Sequence, residues 1–126
     1  MNAMNSTRPN RSIGEMEAEF TNQIVKFEKE YMGRGPIEAR SFLIGDMMLV
    51  RLKGVLTPAE DKLIQNSEGR VLVKSARRQL FDTSRTLLGK IVEDILGAKL
   101  IDLFSDISLE SGERVIIFIL DRKINP

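Results

Sequence analysis

Gly33-Arg34-Gly35-Pro36 and Thr57-Pro58-Ala59-Glu60 bracket two short apolar segments, and together they leave this chain little choice of local structure. Pro36 pushes Gly35 toward extended backbone and Gly33 suits the left-handed residue that closes a helix, so a helix must stop here. Arg40–Ile44 and Met47–Lys53 then read as strands, and Gly45-Asp46 between them supplies the positive-φ tolerance of a tight hairpin turn. Thr57 is an N-cap, Pro58 fits the first helical position, and Glu60 completes a capping box, which predicts a short helix through about Gln65.

Upstream, Ser12 and Glu15 form a second capping box, and Ile13, Met16, Phe20, Ile24, Phe27 and Tyr31 recur at steps of three and four. The pattern predicts an amphipathic helix ending at Gly33, with Glu17, Glu19, Lys26, Glu28 and Lys29 off the apolar line. Downstream, Ser67 to Leu96 has no internal proline and reads as one long helix ending at Gly97. Its inward stripe is traced by Leu80, Ser84, Leu87, Ile91 and Ile95, broadened by Leu88 and Val92. At ~1.5 Å per residue such a helix would reach about 45 Å, so it should overhang, kink near Gly69 or Gly89, or pack on a second chain.

Lys99–Ser108 and Glu113–Asp121 read as a second hairpin joined through Leu109-Glu110-Ser111-Gly112. Val115 to Leu120 is apolar at both parities, so that strand should be central, with helices on one face and helices or a partner subunit on the other. The expected fold is α+β in the order α-β-β-α-α-β-β, a four-stranded, mainly antiparallel sheet of two β-hairpins with helices packed on it. The 126 residues suit one domain, expected over residues 12–122, between a flexible leader at 1–11 and a tail at 123–126.

The chain has no cysteine, histidine or tryptophan. That excludes thiol nucleophiles, disulfides, thiolate and imidazole metal sites, and every catalytic pair built on histidine. Carboxylate, lysine, tyrosine or backbone chemistry remains, with hard-cation binding through oxygen. With 19 basic and 18 acidic side chains, no global field draws the protein to nucleic acid or an anionic membrane. The longest apolar run, Val115 to Leu120, is far below the ~20 residues a membrane helix requires.

Three constellations remain as candidates. At Gly33-Arg34-Gly35, free amides and a guanidinium can hold a phosphate or carboxylate, with Arg51 as a further cation, although a helix stop with an exposed arginine explains the same residues. Arg70, Lys74, Arg77, Arg78 and Arg85 fall within about a third of the helix circumference and make a basic ridge for an acidic partner or polyanion. The plainer account of that ridge is a solvated face paired with Glu68 or Asp82. Asp102, Asp106 and Asp121 are the third set, but Asp102 and Asp106 would stand about 13 Å apart on one strand, too far to share a metal.

The ordered combination of Gly33-Arg34-Gly35-Pro36, Val55-Leu56-Thr57-Pro58-Ala59-Glu60, Ser105-Asp106-Ile107 and Glu113 to Asp121 resembles the MpsC-like family of bacterial proteins, over about residues 16 to 122. The family takes its name from a sodium-translocating, membrane-potential-generating system. The resemblance implies an accessory place in membrane ion or bicarbonate handling, and it transfers no catalytic residue.

The leading expectation is a non-enzymatic cytoplasmic accessory or regulatory domain, homodimeric, free or peripheral to a membrane system, acting by protein–protein binding through Arg34, Arg51 and the basic ridge. No cofactor, metal or nucleic acid is expected. The alternative is a small-anion or small-ligand module centred on Gly33 to Pro36. A carboxylate enzyme comes third and a nucleic-acid binder fourth.

Overall fold

Eight elements follow one another along the chain: α1 (Ile13–Tyr31), β1 (Glu38–Ile44), β2 (Met47–Lys53), α2 (Pro58–Leu63), α3 (Ser67–Thr83), α4 (Arg85–Leu96), β3 (Leu100–Ser108) and β4 (Glu113–Leu120). The computed structural model describes residues 11–125, so most of the expected leader lies outside the described residues. Arg11 is the exception: it is buried, donates from Nη1 to the Ile95 carbonyl at 3.2 Å and pairs with Glu19. In the tail, Ile124 packs against the core.

Both hairpins form as the turn residues dictate, and β2 joins β4 to give one antiparallel sheet in the order β1-β2-β4-β3. The α+β class and the four-stranded sheet expected from the sequence are therefore present, with β4 central. The helix count differs by one. Where a single long helix was expected, the chain breaks at Ser84, and the order is α-β-β-α-α-α-β-β. The reason is local: the hydroxyls of Thr83 and Ser84 both donate to the Leu80 carbonyl, and the Ser84 amide donates back only three residues to Phe81. Such side-chain bonds compete with the helical ladder and let it turn. The break falls at neither Gly69 nor Gly89.

One face of the sheet carries the core. Met48, Val50 and Leu52 of β2 and Ile116, Phe118 and Leu120 of β4 meet Phe20, Ile24 and Phe27 of α1 and Leu88, Val92 and Ile95 of α4. Phe20 stands edge-on to Phe118 at 4.9 Å, a geometry that places ring hydrogens on a π-face. The predicted stripe of α1 holds through Phe27, whereas Tyr31 is half exposed and stacks on Phe27. Two corrections concern polarity. Leu80 faces outward, because the buried line of α3 is Gly69, Val73, Arg77 and Phe81. Glu28, placed off the apolar line of α1, is fully buried.

A smaller cluster of Leu56, Val73 and Leu109 ties α3 to the far end of the β3–β4 hairpin. That anchor holds α3 alongside the β3 edge of the sheet and opens a cleft between them.

No described residue covers the other sheet face as a helix does. Its cross-strand rows are Ile44, Met47, Ile119 and Asp102, then Phe42, Leu49, Ile117 and Phe104, then Arg40, Arg51, Val115 and Asp106. Phe42, Ile44 and Phe104 are 37%, 51% and 53% exposed, so two of the three rows present a nearly continuous apolar surface.

Candidate functional site

Helical spacing puts Lys74, Arg77, Arg78 and Phe81 along the side of α3 that meets β3, and the break at Ser84 lets α4 begin with Arg85 at the same edge. Opposite them stand Leu103 to Ile107 of β3 and Arg114 of β4, and the cleft between encloses about 490 Å³. Five cations line it against two carboxylates, Asp82 and Asp106. A concavity of that size is typical of small-molecule sites.

Arg77 is the best anchored of the five. Its Nε and Nη2 each donate to a Glu60 carboxylate oxygen at 2.7 Å, and Nη2 also donates to the Val55 carbonyl at 2.9 Å. Glu60 in turn accepts from the Thr57 amide, so the capping box of α2 and the fork of Arg77 share one carboxylate. Burial pushes the Glu60 carboxyl up, but the bonds from Arg77 and the Thr57 amide outweigh it and hold the group below the usual range. Arg77 Nη1 is buried with no hydrogen-bond partner among the described residues.

Arg114 lies on the helix-facing parity of β4, where its neighbours are Ile116 and Phe118. It is 3% exposed, sits over the Phe81 ring at 4.5 Å and donates from Nε to Ser105 Oγ at 3.1 Å. Burial lowers its affinity for a proton, an effect opposed by Glu28 and reinforced by Arg77. Behind it, both Glu28 carboxylate oxygens are buried without a hydrogen bond. Burial raises the Glu28 pKa, and the charges of Arg114 and Arg77 offset only part of that rise. Two guanidinium ions and an imperfectly matched carboxylate therefore share one desolvated wall of the cleft, an arrangement that is costly unless further groups satisfy it.

The remaining ridge residues are more exposed. Lys74 Nζ lies 3.6 Å from Asp106, Arg85 Nη2 donates to the Ile101 carbonyl at 3.2 Å, and Arg78 forms no ion pair among the described residues. Arg70 pairs with Glu110 and does not line the cleft. The structure thus gathers four of the five ridge residues into one concave wall. It also adds Arg114 and Glu28, which sequence reasoning passed over. An arginine at even parity in an otherwise apolar strand was the available signal for the first, and the four-residue step from Ile24 was the signal for the second.

The Gly33 loop is built differently. Gly33 has φ +107, and a Cβ there would lie 3.2 Å from Thr57 Cγ2. Arg34 donates from Nη1 to the Leu56 carbonyl at 3.2 Å and from Nε to its neighbour Gly35 at 3.4 Å, fastening the helix stop to the exit of β2. Arg51 is on the open sheet face, paired with Glu113, so it does not converge with Arg34. Among the carboxylates, Asp102 and Asp106 each accept the next main-chain amide and Asp121 accepts from Lys99. Among the described residues, no group of three or more such ligands is close enough to hold a metal ion.

The profile of a family described as "Na+-translocating membrane potential-generating system (MpsC)" matches residues 12–122. Uncharacterized protein YbcI of Bacillus subtilis (strain 168) is 36% identical over 108 residues, which is 86% of this chain and 87% of that protein. Uncharacterized protein YrhF of the same organism is 36% identical over 108 residues, 85% of this chain and 88% of its own length. No solved structure matches the chain.

Proposed function

This chain belongs to the family described as the Na+-translocating membrane potential-generating system (MpsC), and on that premise we propose that it is a non-enzymatic accessory or regulatory domain, cytoplasmic and peripheral to a membrane ion-handling system, that works by protein–protein binding. Its first partner is a second copy of itself, seated on the open face of the sheet.

The observation that carries the reading is that face. Four strands at ~4.8 Å and seven residues at ~3.3 Å make a rectangle of roughly 440 Å² in projection. Protruding side chains raise its accessible area toward the ~800 Å² per partner of a standard stable interface. The middle row, Phe42, Leu49, Ile117 and Phe104, is apolar from edge to edge. Charge favours self-pairing as well: Arg40, on β1, and Asp102, on β3, form no ion pair among the described residues, whereas Arg51 is held by Glu113 and Asp106 by Lys74. A two-fold axis along the strands sets each basic edge over the acidic edge of the other copy. Left bare, Phe42, Ile44 and Phe104 on edge strands would be an aggregation hazard.

Sedimentation equilibrium tests this directly. The expected species has twice the 14.3 kDa chain mass, and Ile117→Asp reduces it to a folded monomer. A monomeric wild type at tens of micromolar overturns the dimer. The accessory role has its own readout: the chain should co-sediment with membranes only while the integral subunits of the translocating system are present.

A further inference from the structure

We propose that the cleft between α3 and β3 is a binding site for a phosphorylated small molecule of nucleotide size, its phosphate held by Arg78, Arg85 and Arg114 and its apolar or aromatic body lying against Leu103 and Ile107. The proposal rests on neither the dimer nor the membrane role, and it takes no contact from Phe104, which belongs to the open sheet face.

Four observations converge on it. The cleft is concave and about 490 Å³, large enough to seat a ligand of nucleotide size while staying open on one side. Its cations exceed its carboxylates by five to two, and Arg78 and Arg85 form no ion pair among the described residues. One of the phosphate-holding cations, Arg114, is 3% exposed, and its one side-chain hydrogen bond among the described residues runs from Nε to Ser105 Oγ. A guanidinium stripped of water on one side gains from an approaching anion far more than an exposed one does, because the local dielectric is low.

The choice of phosphate follows from the donors. Four of the five cations are arginines, whose planar forks match tetrahedral oxyanions with paired N–H donors, and they approach from α3, α4 and β4. A single carboxylate would occupy one fork and leave the others unserved. The body of the ligand is read from the remaining lining. Leu103 and Ile107, on the helix-facing parity of β3, give an apolar side beside the cationic one, and Ser105 is the neutral hydroxyl between them. A bare inorganic ion would leave that side unused. Long single strands of nucleic acid are disfavoured by geometry, since successive bases need a row of aromatic faces. Here the Phe81 ring is already covered by Arg114.

Isothermal titration of the full chain with AMP, ADP, ATP, adenosine, inorganic phosphate and a short oligonucleotide tests the site. Saturable binding of the phosphorylated nucleosides is expected, tighter than that of phosphate alone and absent for adenosine. Arg78→Ala and Arg85→Ala, both exposed and so expected to leave the melting temperature intact, should each weaken it about tenfold or more. Lys26→Ala on the exposed side of α1 should change nothing. No binding by any nucleotide overturns the proposal. So does binding of the oligonucleotide alone with a steep salt dependence, or a loss of affinity that follows Arg34→Ala and not Arg78→Ala.

Discussion

Glu28 sits behind Arg77 and Arg114 with neither oxygen bonded, and its proton equilibrium is linked to folding. Because its folded pKa lies above the ordinary value of 4.5, the folded protein holds a proton that the unfolded chain has already released. Stability must therefore fall as pH rises from the unfolded value through the folded one. Glu28→Gln is expected to remove that slope and to leave stability near neutral pH equal or higher; urea midpoints across a pH series measure it. A loss of several kcal/mol at every pH would instead show that the charge is needed by the two arginines. Gly69 carries the opposite kind of constraint. A Cβ there would stand 1.6 Å from the Leu63 carbonyl oxygen, so backbone must move. Alanine ordinarily gains ~1 kcal/mol over glycine in a helix. Here Gly69→Ala should instead cost roughly 3 kcal/mol in denaturant unfolding, the upper end of overpacking penalties. Neither effect is legible locally, since Glu28 and Gly69 acquire their surroundings from other elements.

At the scale of elements, α2 is six residues long and buries none of them, so it cannot be stable on propensity alone. Thr57 caps it, and Glu60 binds both the Thr57 amide and the Arg77 fork, which staples α2 to α3. Glu60→Gln leaves a buried guanidinium without its counter-charge and should cost about 2–4 kcal/mol, less than a fully buried pair because Glu60 is partly exposed. The acid limb supplies a second check. The Glu60 pKa is lowered, so its contribution is complete above the unfolded value and is lost as pH falls through the folded one. The Gln variant should unfold with a shallower dependence below about pH 4.5, and an unchanged acid limb would remove Glu60 from the staple. Both capping boxes could be read from four consecutive residues each, because a cap is made by neighbours. The Ser84 break could not, since a serine inside a helix is tolerated as often as it interrupts.

For the whole molecule, two surfaces of different physics meet at β3: the apolar open face of the sheet and the cationic cleft between α3 and the β3 edge. Association through the first should raise the melting temperature with protein concentration and survive high salt, as burial of apolar area does. Differential scanning fluorimetry over a hundredfold dilution at low and high salt reads it; a melting point independent of concentration argues against the dimer. Ligand binding in the cleft should weaken with salt instead. The hairpins, the caps, the apolar line of α1 and the centrality of β4 were determined by the sequence itself, because turn geometry, amide satisfaction and hydrophobic period act over a few residues. Only the tertiary structure decided that Arg114 and Glu28 would be buried together, that the ridge on α3 would face an edge strand, and that one sheet face would stay open. Those outcomes bring together residues far apart in the chain, as Leu56, Val73 and Leu109 are brought together where α3 meets the β3–β4 hairpin, and no local pattern encodes such a meeting.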